Sequence, residues 1–289
     1  MNISFRSLQN FVSVNSFLLV ISLFQYNSIL YYESNSSNNS ASLFLFCTFC
    51  AFIARNYALL SLIHYGTKRK PDINVRVRVN TNELAPKEEY KYEFHVNVAT
   101  STMVESITHI LIKSNSNMFT PFCGCRLREV ISFVPFSFLF EVIFDLFHYW
   151  THRLLHNQHI YKYLHKKHHK FKHPTAITTF YQDPIDLLIT NSVPTILSLW
   201  AISSLSFPLT YFQFHIITVY KSFVEISGHS GKQMYPTSSF SQCIWFPKLL
   251  NIELYTEDHD LHHSLNNCNY SKRFSLWDKV FQTYKTSRS

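Results

Sequence analysis

The stretch His152–Pro174, HRLLHNQHIYKYLHKKHHKFKHP, decides how this chain is read. It packs seven histidines among five lysines and one arginine. Two readings compete for it: a basic patch for phosphates or headgroups, and a metal site. Spacing separates them. His148, His152 and His156 recur every four residues, so on a helix they share one face. His165, His168 and His169 follow as H-x-x-H-H. The same pattern returns at His259, His262 and His263, inside the locally acidic TEDHDLHHSL, a poor setting for phosphate. Recurrence in a lysine-poor segment favours the metal. Lone His229, in EISGHSGK, is a further candidate ligand. His159 falls near the first stripe and is a candidate supporting residue. His64, His95, His109 and His215 read as isolated surface or core residues, and His173 as a loop residue.

Imidazole is a common neutral nitrogen ligand for iron, zinc, copper and nickel. Eight to ten converging histidines exceed what one ion needs, so the pattern calls for two. All-nitrogen ligation argues against magnesium or calcium, which take oxygen. Zinc hydrolases manage with about three protein ligands and an open position. A redox-active pair, most simply two Fe2+ ions activating O2, fits the ligand number better.

The rest of the chain points to a membrane. Of 289 residues only 15% are charged, while 17% are aromatic, with 27 phenylalanines. Soluble domains carry nearer a quarter charged residues. The net charge is +8 and the overall hydropathy is near zero, so polar segments offset apolar ones. The six cysteines form no disulfide framework and read as free thiols. Cys47 and Cys50 make a C-x-x-C inside an apolar run, and Cys123 and Cys125 flank Gly124.

Phe11–Tyr32 and Ser42–Ile63 are each long enough to span a bilayer. The loop between them, ESNSSNNS, lacks basic residues and carries N-x-S sequons at Asn35 and Asn38. The segment after them, HYGTKRKPDINVRVRV, is basic and belongs in the cytosol by the positive-inside rule. INVRVRVN alternates like a short strand. Val130–Phe147 is a third apolar run. Leu187–Tyr220 is a fourth, long enough for two tight passes around Ser206 and Pro208. A hairpin there keeps the histidines before and after it on one side. The same parity asks for a partner to Val130–Phe147, and Phe94–Ile112 is the segment available. The expected fold is all-α: a multi-pass helical membrane protein with a cytosol-facing, His-rich di-metal cap. Its expected parts are an N-terminal transmembrane hairpin (1–66), a polar loop with an additional membrane or interfacial helix (67–128), and a catalytic domain (129–289).

These residues resemble the fatty acid hydroxylase/sterol desaturase superfamily of membrane di-iron enzymes. HRLLH (His152–His156), HKKHH (His165–His169) and HDLHH (His259–His263) match its three histidine boxes in order. FDLFHYWTHRLLH is similar to its entry into the first box, HSGK to its isolated histidine, and NYSKRFSLWDKVFQTYK to its C-terminal signature. The resemblance runs from about Val130 to Lys285. It implies O2-dependent hydroxylation, desaturation or oxidation of a lipid C–H bond in the endoplasmic reticulum membrane. It also implies electrons from cytochrome b5 and an NAD(P)H-linked reductase. Carried over by position, the implied metal ligands are His152, His156, His165, His168, His169, His229, His259, His262 and His263. His148 is a further ligand or a supporting residue.

Within that resemblance, the boxes and their spacing lean toward sterol substrates over fatty-acyl or sphingolipid ones, held in an apolar tunnel. No nucleic-acid partner is expected. Asp145, Glu225, Asp258 and Asp260 are candidates to orient ligand rings, with Asp260 reading more as surface charge. Lys162, Lys166, Lys167, Lys170 and Lys172 face anionic headgroups, an acidic electron donor or simply solvent. Two positions depart from the family pattern: Gln282 stands where glycine is usual, and Asp183-Pro184 where His-Pro is common. The rival class is a non-catalytic, His-rich membrane metal-binding protein, whose ligands would line a transmembrane path.

Overall fold

The computed structural model describes residues 5–35, 41–68, 91–121, 126–172, 174–231 and 239–286. The expected INVRVRVN strand, the tip of the Asn/Ser loop, Cys123, Cys125 and His173 lie outside them. The described chain is mostly helical. Three long helices come first: α1 (Phe5–Asn35), α2 (Ala41–Lys68) and α3 (Lys91–Ser114). Then follow α4 (Arg126–Leu155) and short α5 (Gln158–Leu164). Helix α6 (Pro184–Leu187) runs through a π-helical turn, Leu188–Ser192, into α7 (Val193–Ser204). Helix α8 (Tyr211–Gly228) precedes α9 (Phe246–Leu249), α10 (Thr256–Leu265) and α11 (Leu276–Val280). The two strands, β1 (Phe119–Thr120) and β2 (Leu209–Thr210), pair in parallel with Phe119 opposite Leu209.

Among the described residues, four helical stretches are long and apolar enough to cross a bilayer: Leu8–Ser34, Ala41–Gly66, Leu127–Leu155 and Pro184–Ser204. Even the shortest, 21 residues, reaches about 32 Å at 1.5 Å per residue, against a hydrocarbon core of about 30 Å. The protein is an integral membrane protein. Its helices are built inside out. On α1, Val20, Leu23 and Phe24 are exposed while Ser22 and Gln25 are buried. On α3, Val96, Met103, Ile107 and Leu111 face outward while Asn97, Thr102, Ser106 and His109 face the protein. Water would reverse that arrangement; lipid favours it. Helix α3 therefore occupies the expected Phe94–Ile112 segment with a lipid-suited surface, although its composition is too polar to rank among the four spans.

The Leu187–Tyr220 run is a helix, a turn and a helix, but its legs have different neighbours. Helix α7 packs mainly on α4, whereas α8 packs mainly on α1 and α2. Thirteen of the eighteen α8 residues are buried, among them Gln213, His215 and Lys221. Helix α8 is thus the protein's central helix rather than a second lipid-facing pass. Polar side chains lock it to its neighbours. Gln25 Nε2 lies 2.9 Å from His215 Nδ1, and His109 Nε2 lies 2.7 Å from Tyr211 Oη. Arg55, fully buried on α2, donates to Gln25 Oε1 at 3.3 Å and to Asn56 Oδ1 at 2.9 Å, and pairs with Glu105. A charge at this depth is tolerated because it is paired inside the bundle.

The cap segment 270–274 is held by two carboxylates, Asp145 of α4 and Asp278 of α11. Asp145 accepts from the backbone N–H groups of Lys272, Arg273 and Phe274 at 2.7, 3.0 and 2.9 Å. Asp278 accepts from the N–H groups of Tyr270 and Ser271, both at 2.8 Å. Together they fix the chain 270–274 against the end of α4, where the first histidine box begins.

Candidate metal centre

Four parts of the fold deliver imidazoles to one place. Helix α4 carries His148 and His152, with His156 just past its end. His165 caps the C-terminus of α5, and His168 and His169 open the short 3-10 turn that follows. His229 caps the C-terminus of α8, and α10 carries His259, His262 and His263. Nine of these ten rings assemble into two groups. His152, His156, His165, His169 and His262 form one; His168, His229, His259 and His263 form the other. Within each group the nitrogens lie within 4.8 Å of one another. The groups adjoin, with the His169 and His263 ring centres 4.5 Å apart.

The nitrogens that meet are Nε2 atoms. His165 Nε2 lies 3.0 Å from His152 Nε2 and 3.1 Å from His169 Nε2. His229 Nε2 lies 3.0 Å from His259 Nε2 and 3.4 Å from His168 Nε2, and His259 and His263 meet at 3.2 Å. Several of the rings have their tautomer fixed from behind. His152 Nδ1 donates to the Tyr270 carbonyl at 2.8 Å, His262 Nδ1 to Cys268 at 2.7 Å, and His229 Nδ1 to Glu225 at 2.8 Å. A carbonyl only accepts, so each of these rings is N–H at Nδ1 and presents a lone pair at Nε2. His165 Nδ1 faces the buried Asp186 carboxylate at 2.8 Å. Lone pair therefore meets lone pair at the centre of the first group. Protonating His165 relieves one such contact, but one proton cannot serve His152, His169 and the buried, partnerless Nε2 atoms of His156 and His262. A cation in their midst satisfies all five.

The distances agree. With metal–nitrogen bonds of about 2.1 Å, neighbouring ligand nitrogens are separated by roughly 3.0 Å in an octahedron and 3.4 Å in a tetrahedron. Burial keeps the rings in the ligating form. It drives the pKa values of His168, His169, His259 and His263 well below the usual imidazole value, with neighbouring imidazoles adding to the shift. Burial likewise pushes His262 down to about 3. Neutral imidazoles with no carboxylate among them suit a borderline transition metal.

The tenth candidate, His148, joins neither group. Its Nδ1 lies 2.6 Å from the Thr190 carbonyl of the π-helical turn, and its ring sits between Phe144 and His152. His159 is exposed and distant from the centre in its contacts. Of the candidate orienting carboxylates, Asp145 caps backbone N–H groups and Asp258 accepts from Tyr255 N–H at 3.0 Å. Asp260 is buried, not on the surface. Glu225 acts on His229 mainly through its carbonyl, its carboxylate standing 3.8 Å from Nδ1. Sequence reasoning missed Asp186, because nothing in FYQDPID marks it as more than a helix-start acid. It also missed the carbonyls of Cys268 and Tyr270, which no sequence signal reveals. Lys162, Lys166, Lys170 and Lys172 are exposed, while Lys167 reaches Asn97 Oδ1 at 2.9 Å.

A narrow cavity, partly open to the exterior, runs between α2, α3 and α8 toward this centre. Its walls include Phe52, Ile112, Phe180 and Phe214, but also Asn56, Glu105, Lys221 and Arg273. The expected apolar tunnel is therefore a mixed one. Glu225 and Lys272 line both this cavity and a smaller one that touches His229 and His259.

A family model described as fatty acid hydroxylase matches residues 137–283. The chain is 32% identical over 148 residues to fatty acid hydroxylase vlmA of Lecanicillium sp, a match covering 50% of this chain and 40% of that protein. It is 28% identical over 182 residues to the C-4 methylsterol oxidase erg25 of Schizosaccharomyces pombe, covering 57% and 55%. It is 30% identical over 149 residues to the Delta(7)-sterol 5(6)-desaturase ERG3A of Gibberella zeae, covering 51% and 37%. The matched stretch spans about half the length of these relatives or less. No solved structure matches the chain.

Proposed function

The chain belongs to the fatty acid hydroxylase family, and from that membership we propose that it is a membrane di-iron oxidoreductase that uses O2 to hydroxylate, desaturate or oxidise a lipid C–H bond. The observation that carries this is the convergence of nine imidazoles, seven of them on buried residues, in two adjoining groups. In this reading His152, His156, His165, His169 and His262 hold one iron, and His168, His229, His259 and His263 hold the other. The bound iron pair supplies the oxidising power for an unactivated C–H bond.

The chain's own residues do the rest. Asp186 and the carbonyls of Tyr270, Cys268 and Glu225 fix the ligand rings through Nδ1. Burial of the centre excludes bulk water from it. His148 holds position between Phe144 and His152 as a supporting ring. The cavity between α2, α3 and α8 takes the lipid from the bilayer side. The substrate we favour is a sterol, as the printed names of erg25 and ERG3A suggest; the name of vlmA supports a fatty-acyl substrate as the second reading. Electrons come from outside the chain, from cytochrome b5 with its NAD(P)H-linked reductase, at the cytosolic face of the endoplasmic reticulum. Residues 1–66 serve as the membrane anchor and 129–289 as the catalytic domain.

The ligands do not line a path along the spans, as a metal carrier requires, but gather at the ends of α4, α5, α8 and on α10. The test is lipid profiling of cells with and without the protein under 18O2. A new or depleted sterol or acyl species carrying the label in any new hydroxyl supports the reading. Unchanged lipids with full metal loading refute it.

A further inference from the structure

At one end, the interhelix cavity meets a cluster of charges: Glu141, Lys221 and Arg273, which are buried, and Glu225 and Lys272, which are half-buried. Two ion pairs account for four of them. Lys272 pairs with Glu225, and Arg273 Nε lies 2.8 Å from Glu141 Oε2. Lys221 is left over. It is 7% exposed, its Nζ donates to Thr195 Oγ1 at 2.6 Å, and it lies 4.0 Å from the Phe144 ring centre. Among the described residues no carboxylate is within ion-pair distance of it. Arg273 is also underused. It is fully buried, its Nη2 donates to the Lys221 carbonyl at 3.2 Å, and its Nη1 has no hydrogen-bond partner. Both side chains line the cavity.

Three basic side chains thus meet two carboxylates, and the next carboxylate on the cavity wall, Glu105, is taken by Arg55. Burial disfavours the charged form of Lys221, and an anion seated between its amine and the Arg273 guanidinium would restore that charge. We propose that the cavity binds a lipid carboxylate, held between Lys221 and Arg273. A carboxylate carries the one negative charge required and accepts from both donors at once. On α8, Lys221, Glu225 and His229 recur every four residues, which puts the anchor about 12 Å along the helix axis from His229. This rests on the lipid-oxidase reading and deepens it by naming the head group. A fatty acid and a sterol-ring acid both offer that group.

The test uses the full-length, metal-loaded protein in nanodiscs and measures binding of palmitic acid, methyl palmitate, lithocholic acid and methyl lithocholate. Wild type is expected to prefer at least one acid over its ester by about tenfold or more in Kd; which acid shows the preference identifies the source. Lys221→Met should bring that ratio near one, and Lys221→Arg should keep it. Equal binding of acid and ester by wild type, for both pairs, overturns the proposal. So does an unchanged ratio in Lys221→Met. If Lys221→Met does not fold, the wild-type comparison still decides. Binding is read without turnover: acid-selective binding with unchanged cellular lipids at full metal loading sinks the oxidase reading and leaves the anion site standing.

Discussion

The carboxylate of Asp186 lies 2.8 Å from His165 Nδ1, with both side chains sealed from solvent. This pair links the start of α6 to the first group of imidazoles. His165 in turn touches both His152 and His169 through Nε2. Asp186 therefore sets the orientation of the ring on which the group is centred.

Replacing it should weaken metal binding rather than abolish folding. Asp186→Ala is expected to lower metal affinity by about 10- to 100-fold, the usual effect of removing a partner behind a ligating histidine. Asp186→Asn, whose carbonyl still accepts, should fall between. Iron titration of the depleted protein measures this. Equal affinity in Asp186→Ala and wild type would show that the pair is incidental.

His148 offers the opposite case. It lies in the first-box helical stripe but outside both groups, committed to the Thr190 carbonyl. His148→Ala should retain wild-type iron content while losing activity through a loosened His152. His168→Ala should lose both. Elemental analysis of the two variants side by side checks the distinction, and loss of iron in His148→Ala to the level of His168→Ala contradicts it.

Gln282 explains a departure from the family pattern. It follows α11 and adopts a left-handed conformation, φ 57°, the C′ position where glycine is preferred. The backbone around it is engaged, with Thr283 N–H donating to the Asp278 carbonyl at 2.7 Å. A non-glycine residue there pays roughly 1 kcal/mol. Gln282→Gly should therefore raise stability by about 1 kcal/mol, seen as a Tm rise of roughly 2–4 °C with iron content unchanged. A lower Tm would mean that the Gln282 side chain stabilises the turn more than its backbone strains it.

The histidine spacing carried most of the site because helical periodicity is a local property. His152 and His156, or His259 and His263, share a face whatever the rest of the chain does. The partition into groups was not legible. It splits neighbours, sending His168 to one group and His169 to the other, and so depends on how α5, α8 and α10 meet. The orienting partners were misread for the same reason. Asp145 and Asp258 are close in sequence to boxes yet serve backbone N–H groups, while Asp186 comes from a segment noted only for Asp183-Pro184. Apolar runs located the spans well. They misjudged α8, whose hydrophobicity marks a helix buried in protein as readily as one facing lipid. The polarity of α3, with Asn97, Thr102 and His109 turned inward, obscured an outer surface suited to lipid.

The central claim is that two irons sit among nine imidazoles, and it is tested most directly by counting metal. Protein purified from iron-replete cells should carry about two irons per chain. His262→Ala, which strips the first group, and His263→Ala, which strips the second, should each fall toward about one. Protein that holds no transition metal after reconstitution with Fe2+, or that keeps its full complement in both variants, contradicts the account.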